Sequence, residues 1–182
     1  HTVKAPSTTT ITTSPNPSLI NTSVKITVNV TGAWGTPTGM VNVSGGGITC
    51  TLDLSVSNFC NVTFTTDGDK LLTAEYLGDT AYFGSTDTKL HKVILPGVTI
   101  TTITPTSPDP SIVGQAITVS VTVTSATTPT GSVTITGGGL SCTITLVNGA
   151  GSCPPYAFNT AGNYTLTANY TPDTALFQPS SD

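Results

Sequence analysis

The chain has 182 residues and a formal net charge of −4, with only 8% charged residues and 36% hydrophobic ones. So few cations leave no electrostatic footprint for nucleic acid or for anionic lipid. A positive mean hydropathy argues against intrinsic disorder, which pairs low hydrophobicity with high charge. No run reaches the roughly 18 apolar residues of a membrane helix, so membrane insertion is not expected. No signal-peptide pattern stands at the start, as expected of a mature chain or an excised fragment.

Taken in chain order, Pro15–Pro17 mark a first turn, and residues 24–30 then alternate. Val24, Ile26, Val28 and Val30 fall on one face, and Lys25, Thr27 and Asn29 on the other. Period two means a strand with one face on a core and one in water. Further strands are predicted over 40–44, 48–54, 59–65, 70–77 and 85–93. Turn signals at Gly35–Gly39, Gly45–Gly47, Asp67–Gly68 and Gly78–Asp79 separate them at a spacing typical of a sandwich. No stretch has helical periodicity, and the abundance of Thr, Val and Ile suits pleated surfaces.

The same series then recurs. TTSPNPSLINTSVKITVNV (12–30) matches PTSPDPSIVGQAITVSVTV (105–123), TPTGMVNVSGGGITC (36–50) matches TPTGSVTITGGGLSC (128–142), and LTAEYLGDTAYFGS (72–85) matches LTANYTPDTALFQPS (166–179). The offset drifts only between 92 and 94, so insertions are single residues in loops. In the second copy Ile117, Val119, Val121 and Val123 repeat the buried set. The chain therefore reads as all-β, two tandem sandwich domains over 1–94 and 95–182. The linker is VILPGVT (93–99), which Pro96 stiffens and Gly97 lets turn.

The stretch DGDKLLTAEYLGDTAYFGST carries Gly68, Leu72, Ala74, Tyr76, Gly78 and Asp79 in a Gly-x-x-x-Leu-x-Ala-x-Tyr-x-Gly-Asp pattern. Together with SPNPS and GTPTG it resembles the bacterial immunoglobulin-like repeat domains of surface and secreted proteins. The second copy keeps Gly162, Leu166, Ala168, Tyr170 and Asp173, with Pro172 in place of the Gly. The resemblance implies two immunoglobulin-like sandwiches of about seven strands each, a cell-surface or extracellular setting, and a spacer, stalk or adhesive role. Fold alone does not fix function. GNY (162–164) looks like a tyrosine corner, whereas the first copy has Lys70 at the Tyr164 position.

The cysteines are Cys50, Cys60, Cys142 and Cys153, one pair per copy. The segments between them read as strand, turn, strand. A hairpin centred near Ser55 is expected to set Cys50 opposite Cys60, giving cross-strand disulfides Cys50–Cys60 and Cys142–Cys153. No Cys-x-x-Cys spacing supports a metal site. Disulfides imply an oxidising compartment.

Residues able to carry chemistry are sparse, and neither an enzyme nor a cofactor is expected. His1 and His91 sit at equivalent places, neighbour no nucleophile motif, and read as solvent-facing strand residues. The Gly triplets 45–47 and 137–139 lack the Lys and the helix of a phosphate loop and read as hairpin turns. Asp67, Asp69 and Asp79 read as turn caps, with a calcium cluster as the rival. Asn21, Asn29, Asn42, Asn61, Asn163 and Asn169 head Asn-x-Ser/Thr sequons, the acceptor pattern for N-glycans. Trp34, in a loop with no Trp counterpart in the second copy, is a candidate for stacking on surface glycans.

The ends raise a question of frame. HTVK (1–4) aligns with HKVI (91–94), while the second copy stops at PSSD (179–182), short of most of a last strand. Either the chain is cut from a longer array of repeats, or residues 1–6 are a donor strand that completes the open sheet of an identical subunit. The function expected is that of a non-enzymatic extracellular structural protein, a spacer or the subunit of a head-to-tail filament. An adhesive or carbohydrate-binding module is the alternative.

Overall fold

A computed structural model describes residues 3–182, with the backbone alone at Pro105 and Ser107; His1 and Thr2 lie outside it. It divides after Leu95 into two compact units, and no helix occurs among the described residues. Unit 1 contains β1 (Ser7–Ser14), β2 (Ser18–Leu19), β3 (Ser23–Gly32), β4 (Met40–Gly45), β5 (Ile48–Asp53), β6 (Phe59–Thr63), β7 (Gly68–Tyr76) and β8 (Ser85–Ile94). One sheet has the order β1-β3-β6, and the other β2-β8-β7-β4-β5. All neighbours are antiparallel except β2 and β8, where Ser18 stands opposite Val93 and Leu19 opposite Ile94 in parallel.

Alternation fixes which face of each strand is buried. On β3, Val24, Ile26 and Val28 are fully buried and Val30 partly so, while Lys25 and Asn29 face water. Val41 and Val43 of β4 and Leu72, Ala74 and Tyr76 of β7 close on them from the opposite sheet. Burying a side chain of this kind stabilises the fold by about 1.5–3 kcal/mol.

Unit 2 repeats the plan with β9 (Ile100–Ser107), β10 (Ala116–Thr124), β11 (Gly131–Gly137), β12 (Leu140–Thr145), β13 (Ala150–Ser152), β14 (Tyr156–Ala157), β15 (Thr167–Pro172) and β16 (Ser180–Ser181). β9, β13 and β14 flank β10, and the second sheet runs β12-β11-β15-β16. Its core is Ile117, Val119, Val121 and Val123 against Val133, Ile135, Ala168 and Tyr170.

The Gly triplets are hairpin turns. Gly46 and Gly47 have φ of 59° and 85°, and Gly138 and Gly139 have 56° and 88°, the left-handed pair that a tight hairpin requires.

The cysteines join as Cys50–Cys60 and Cys142–Cys153, with Cα atoms 6.7 and 6.0 Å apart. In unit 2 a tight antiparallel turn, Val147 paired with Ala150, lies between the two cysteines, but in unit 1 the expected hairpin is not what brings them together. β5 ends the five-stranded sheet and β6 ends the three-stranded one, so the chain crosses between sheets. Asp53 makes that crossing: its carboxylate accepts the Ser55 N–H and hydroxyl at 2.9 and 2.6 Å, and its carbonyl accepts from Val56 and Ser57. The disulfide thus ties the two sheets at an open edge.

Closing a loop of this length should stabilise each unit by about 3 kcal/mol in the chain-entropy model. Thermal unfolding followed with and without dithiothreitol should show the midpoint of each unit falling by roughly 10–20 °C on reduction. A Cys50→Ser, Cys60→Ser double variant should start low in unit 1 and respond to reductant only in unit 2.

Candidate functional site

His91 is not on the solvent face. On β8 the inward positions alternate through His91 and Val93, and Leu90 and Lys92 point out. His91 is fully buried. Its Nε2 lies 2.9 Å from Ser18 Oγ and its Nδ1 3.1 Å from Thr13 Oγ1, and its ring stacks on Phe64 with centroids 4.9 Å apart. Hydroxyls on both nitrogens satisfy a neutral imidazole, and burial holds its pKa below the ordinary value. Sharing parity with Val93 was the signal for this. His1 lies outside the described residues.

The family-pattern residues Tyr76 and Asp79 form a clamp. Tyr76 Oη donates to the Thr38 carbonyl at 2.6 Å, and the Thr38 N–H and hydroxyl donate to Asp79 Oδ2 at 2.9 and 3.1 Å. Asp79 Oδ1 accepts from the N–H groups of Ala81 and Tyr82, both at 2.7 Å. The Thr38 N–H foremost, with these others, holds the carboxyl well below the usual carboxylate range. Desolvation first, then Asp79, pushes the Tyr76 hydroxyl up to about 12. Unit 2 repeats the clamp: Tyr170 Oη donates to the Thr130 carbonyl at 2.5 Å and Thr130 Oγ1 to Asp173 at 2.6 Å.

A second set of ties joins the sheets of each unit. The Ile11 N–H donates to Asp87 at 3.0 Å, as the Ile103 N–H does to Asp182 at 2.7 Å. Ser85 Oγ lies 2.7 Å from both the Ser7 and Thr9 hydroxyls, and Ser180 Oγ lies 2.7 Å from those of Thr99 and Thr101.

Asp79 stands beyond one end of β7, and Asp67 and Asp69 stand at the other. A nine-residue strand rising about 3.3 Å per residue separates them, so the three do not converge on a cation. Among the described residues no cluster of three or more acidic, His or Cys side chains forms a metal-binding group. All six sequon asparagines are exposed. Asn29 accepts from Asn58 at 2.9 Å and Asn42 from the Thr51 hydroxyl at 3.2 Å. The Trp34 side chain is 59% exposed, while its backbone N–H donates to the buried Tyr82 hydroxyl at 2.6 Å. Tyr164 Oη donates to the Thr160 carbonyl at 2.8 Å. Lys70 fills that corner in unit 1, its Nζ donating to Thr66 Oγ1 at 2.7 Å and to the Asp67 carbonyl at 3.0 Å.

The feature that the elements build most fully is a groove in unit 2. In unit 1, β8 runs between β2 and β7, with His91 opposite Lys70 and Val93 opposite Gly68. In unit 2, β15 is paired on this side at Asn169 and Tyr170 by β16, and through Ala168 by Asp182. Farther along, Ser111–Ile112 and Gly162–Leu166, the counterparts of β2 and of the start of β7, line a groove of about 390 Å³. Thr106, Ile117 and Phe158 also line it. Phe158 stacks on Tyr164 with centroids 4.2 Å apart and meets Tyr156 edge-on at 5.2 Å. Leu72 is fully buried, but its counterpart Leu166 is only half-buried.

The family model for the bacterial Ig-like domain (group 3) matches residues 11–94 and again 101–182. No curated protein sequence matches this one. Among solved structures, one described as a 1.5-MDa bacterial ice-binding adhesin superposes with a TM-score of 0.66 at 15% identity, covering 98% of this chain and 63% of that one. A Ca²⁺-stabilized ice-binding adhesin of an Antarctic bacterium gives a TM-score of 0.62 at 18% identity, covering 100% of this chain and 48% of that one. At these identities the likeness is one of fold. This chain spans less than two thirds of the length of either adhesin chain.

A buried neutral His91 makes unit 1 sensitive to acid. Its folded pKa is lowered, so its contribution is fully present above the unfolded value near 6.5 and is lost as pH falls through the folded one. NMR titration of the imidazole should place the midpoint below 6.5, and the unfolding midpoint of unit 1 should fall across the same window. A His91→Gln variant should lose that pH dependence, and unit 2, with Phe158 and no histidine, should not show it.

Proposed function

We propose, from the premise that the chain belongs to the bacterial Ig-like domain (group 3) family, that it is a non-enzymatic extracellular structural protein that spaces, and links head to tail, the elements of a surface assembly. The observation that carries this reading is what the two units share. Each has its own core, its own intersheet disulfide, a Tyr–Thr–Asp clamp and a carboxylate tie onto its first strand. The exposed residues that could carry chemistry are not shared. Trp34, Asp67 and Asp69 meet Thr, Ala or Asn in the second copy. What the duplication keeps is what holds a sandwich together, which fits a mechanical role. The family and the disulfides support an oxidising, extracellular setting. Exposed sequons fit N-glycans on the outer faces where the host cell attaches them.

An adhesive reading rests on the exposed Trp34 indole, which is free to stack on a sugar. Glycan-array binding that disappears in Trp34→Ala would favour it over the spacer.

Single-molecule pulling on the 182-residue chain tests the spacer reading. Two separate unfolding events are expected, each lengthening by roughly 3–4 nm on reduction as the disulfide loop is released. A single merged event, or lengths indifferent to reductant, would contradict it.

A further inference from the structure

We infer that Tyr82 is a positioning residue that builds a recognition platform on unit 1 out of Trp34, and that the platform takes the flat face of a neutral glycan chain. The inference rests on the adhesive reading of Trp34 and adds to it the residue that shapes the site and the class of sugar. The spacer reading does not depend on it.

The loop is held from inside the fold. Tyr82 is buried in the core of unit 1, and its hydroxyl reaches the loop between β3 and β4. There Tyr82 Oη accepts the Trp34 N–H at 2.6 Å and donates to the Gly35 carbonyl at 2.9 Å, so the hydroxyl acts as acceptor and donor on two successive residues. Gly32, at the end of β3, makes the approach possible, because a Cβ there would run into the Tyr82 ring. With the backbone fixed at 34 and 35, the indole stands outward, 59% exposed, and Gly35 beside it faces open space.

Unit 2 has the scaffold without the device. The Ala5–Tyr82 bridge is repeated as Gly97–Phe177. The Ala5 N–H donates to the Ala81 carbonyl, and the Gly97 N–H to the Leu176 carbonyl. Phe177 is therefore the structural counterpart of Tyr82, although the sequences alone align Tyr82 with Leu176. It is buried like Tyr82 and has no hydroxyl. The loop differs too: TGAWG (31–35) stands where the second copy has TSAT (124–127), one residue shorter and without Trp. Hydroxyl, Trp and extra residue occur together in one unit and are missing together from the other. A sandwich forms without them, so their joint presence points to a role outside folding.

The chemistry of the loop selects the ligand. A flat indole on an open surface offers its face to C–H groups such as those of a pyranose ring. From Ile26 to Leu52 the chain has no charged residue, and its net charge of −4 disfavours acidic glycans. A surface without walls suits the side of an extended chain. Fixing the loop before the sugar arrives removes an ordering penalty, a factor of roughly three to ten in affinity.

Trp34 is the sole Trp of the chain, so intrinsic fluorescence reads the platform alone. Titration with cellohexaose, a neutral β-linked glucan, should change the Trp34 emission, and hexagalacturonate should not. Tyr82→Phe, which reproduces Phe177, should weaken cellohexaose binding roughly three- to tenfold while unit 1 stays folded. In time-resolved anisotropy without sugar, Trp34 should tumble with unit 1, and Tyr82→Phe should add a fast local motion that a purely structural role would not. Equal binding in Tyr82→Phe overturns the positioning role and leaves the adhesive reading standing. Emission indifferent to cellohexaose overturns the inference, and the glycan array then decides whether the adhesive reading survives. An equal or stronger response to hexagalacturonate overturns the neutral class. If Tyr82→Phe unfolds unit 1, the decay of the unaltered chain decides: a fast local component there overturns the inference, and its absence upholds it.

Discussion

A strand in the interior of a sheet must satisfy hydrogen bonds on both edges and bury side chains on its inner face. β8 meets that constraint in unit 1, and the rest of the unit is arranged around it. It lies between β2 and β7, sends His91 and Val93 into the core, and carries Asp87 and Ser85 to the first strand of the opposite sheet. Phe64 and Leu72 are fully buried, and Phe64 stacks on His91 of β8. In unit 2 the short β16 reproduces the upper contacts, through Ser180 and Asp182, and the lower ones are replaced by the groove.

At the opposite edge a covalent bond does what packing does elsewhere. β5 and β6, and their counterparts β12 and β13, end different sheets, although in unit 2 Val147 and Ala150 pair across the intervening turn. A disulfide there resists splaying of the two layers. The hydroxyls of Thr and Ser and the carboxylates of Asp87 and Asp182 supply short ties between the sheets.

Much of this was legible in the residues. Strict alternation over 24–30 and 117–123 identified the buried faces, and the repeat matches revealed the two tandem copies that the family model matches separately. The two-residue β2 was not legible, because SPNPS carries the composition of a turn whether or not a pair of residues follows in register. The cysteine spacing had the same weakness, since nine residues suit a hairpin and a crossing between sheets equally well. His91 was misread because its chemistry was weighed before its parity with Val93. Its pocket comes from Thr13, Ser18 and Phe64, which are distant in sequence and met only in the folded chain. The groove was not legible, because only the fold places Ser111 and Phe158, distant in sequence, on its walls.

Amide hydrogen exchange compares the two units most directly, because it reads the same strand position in each. The amides of β7 from Asp69 to Thr73 should exchange only with global unfolding of unit 1 at any concentration. Those of residues 163–166, which have no paired strand on this side in the 182-residue chain, should exchange through local opening and much faster. Equal protection at both places would contradict the account, because it would mean that pairing with β8 is not what holds this part of β7 closed.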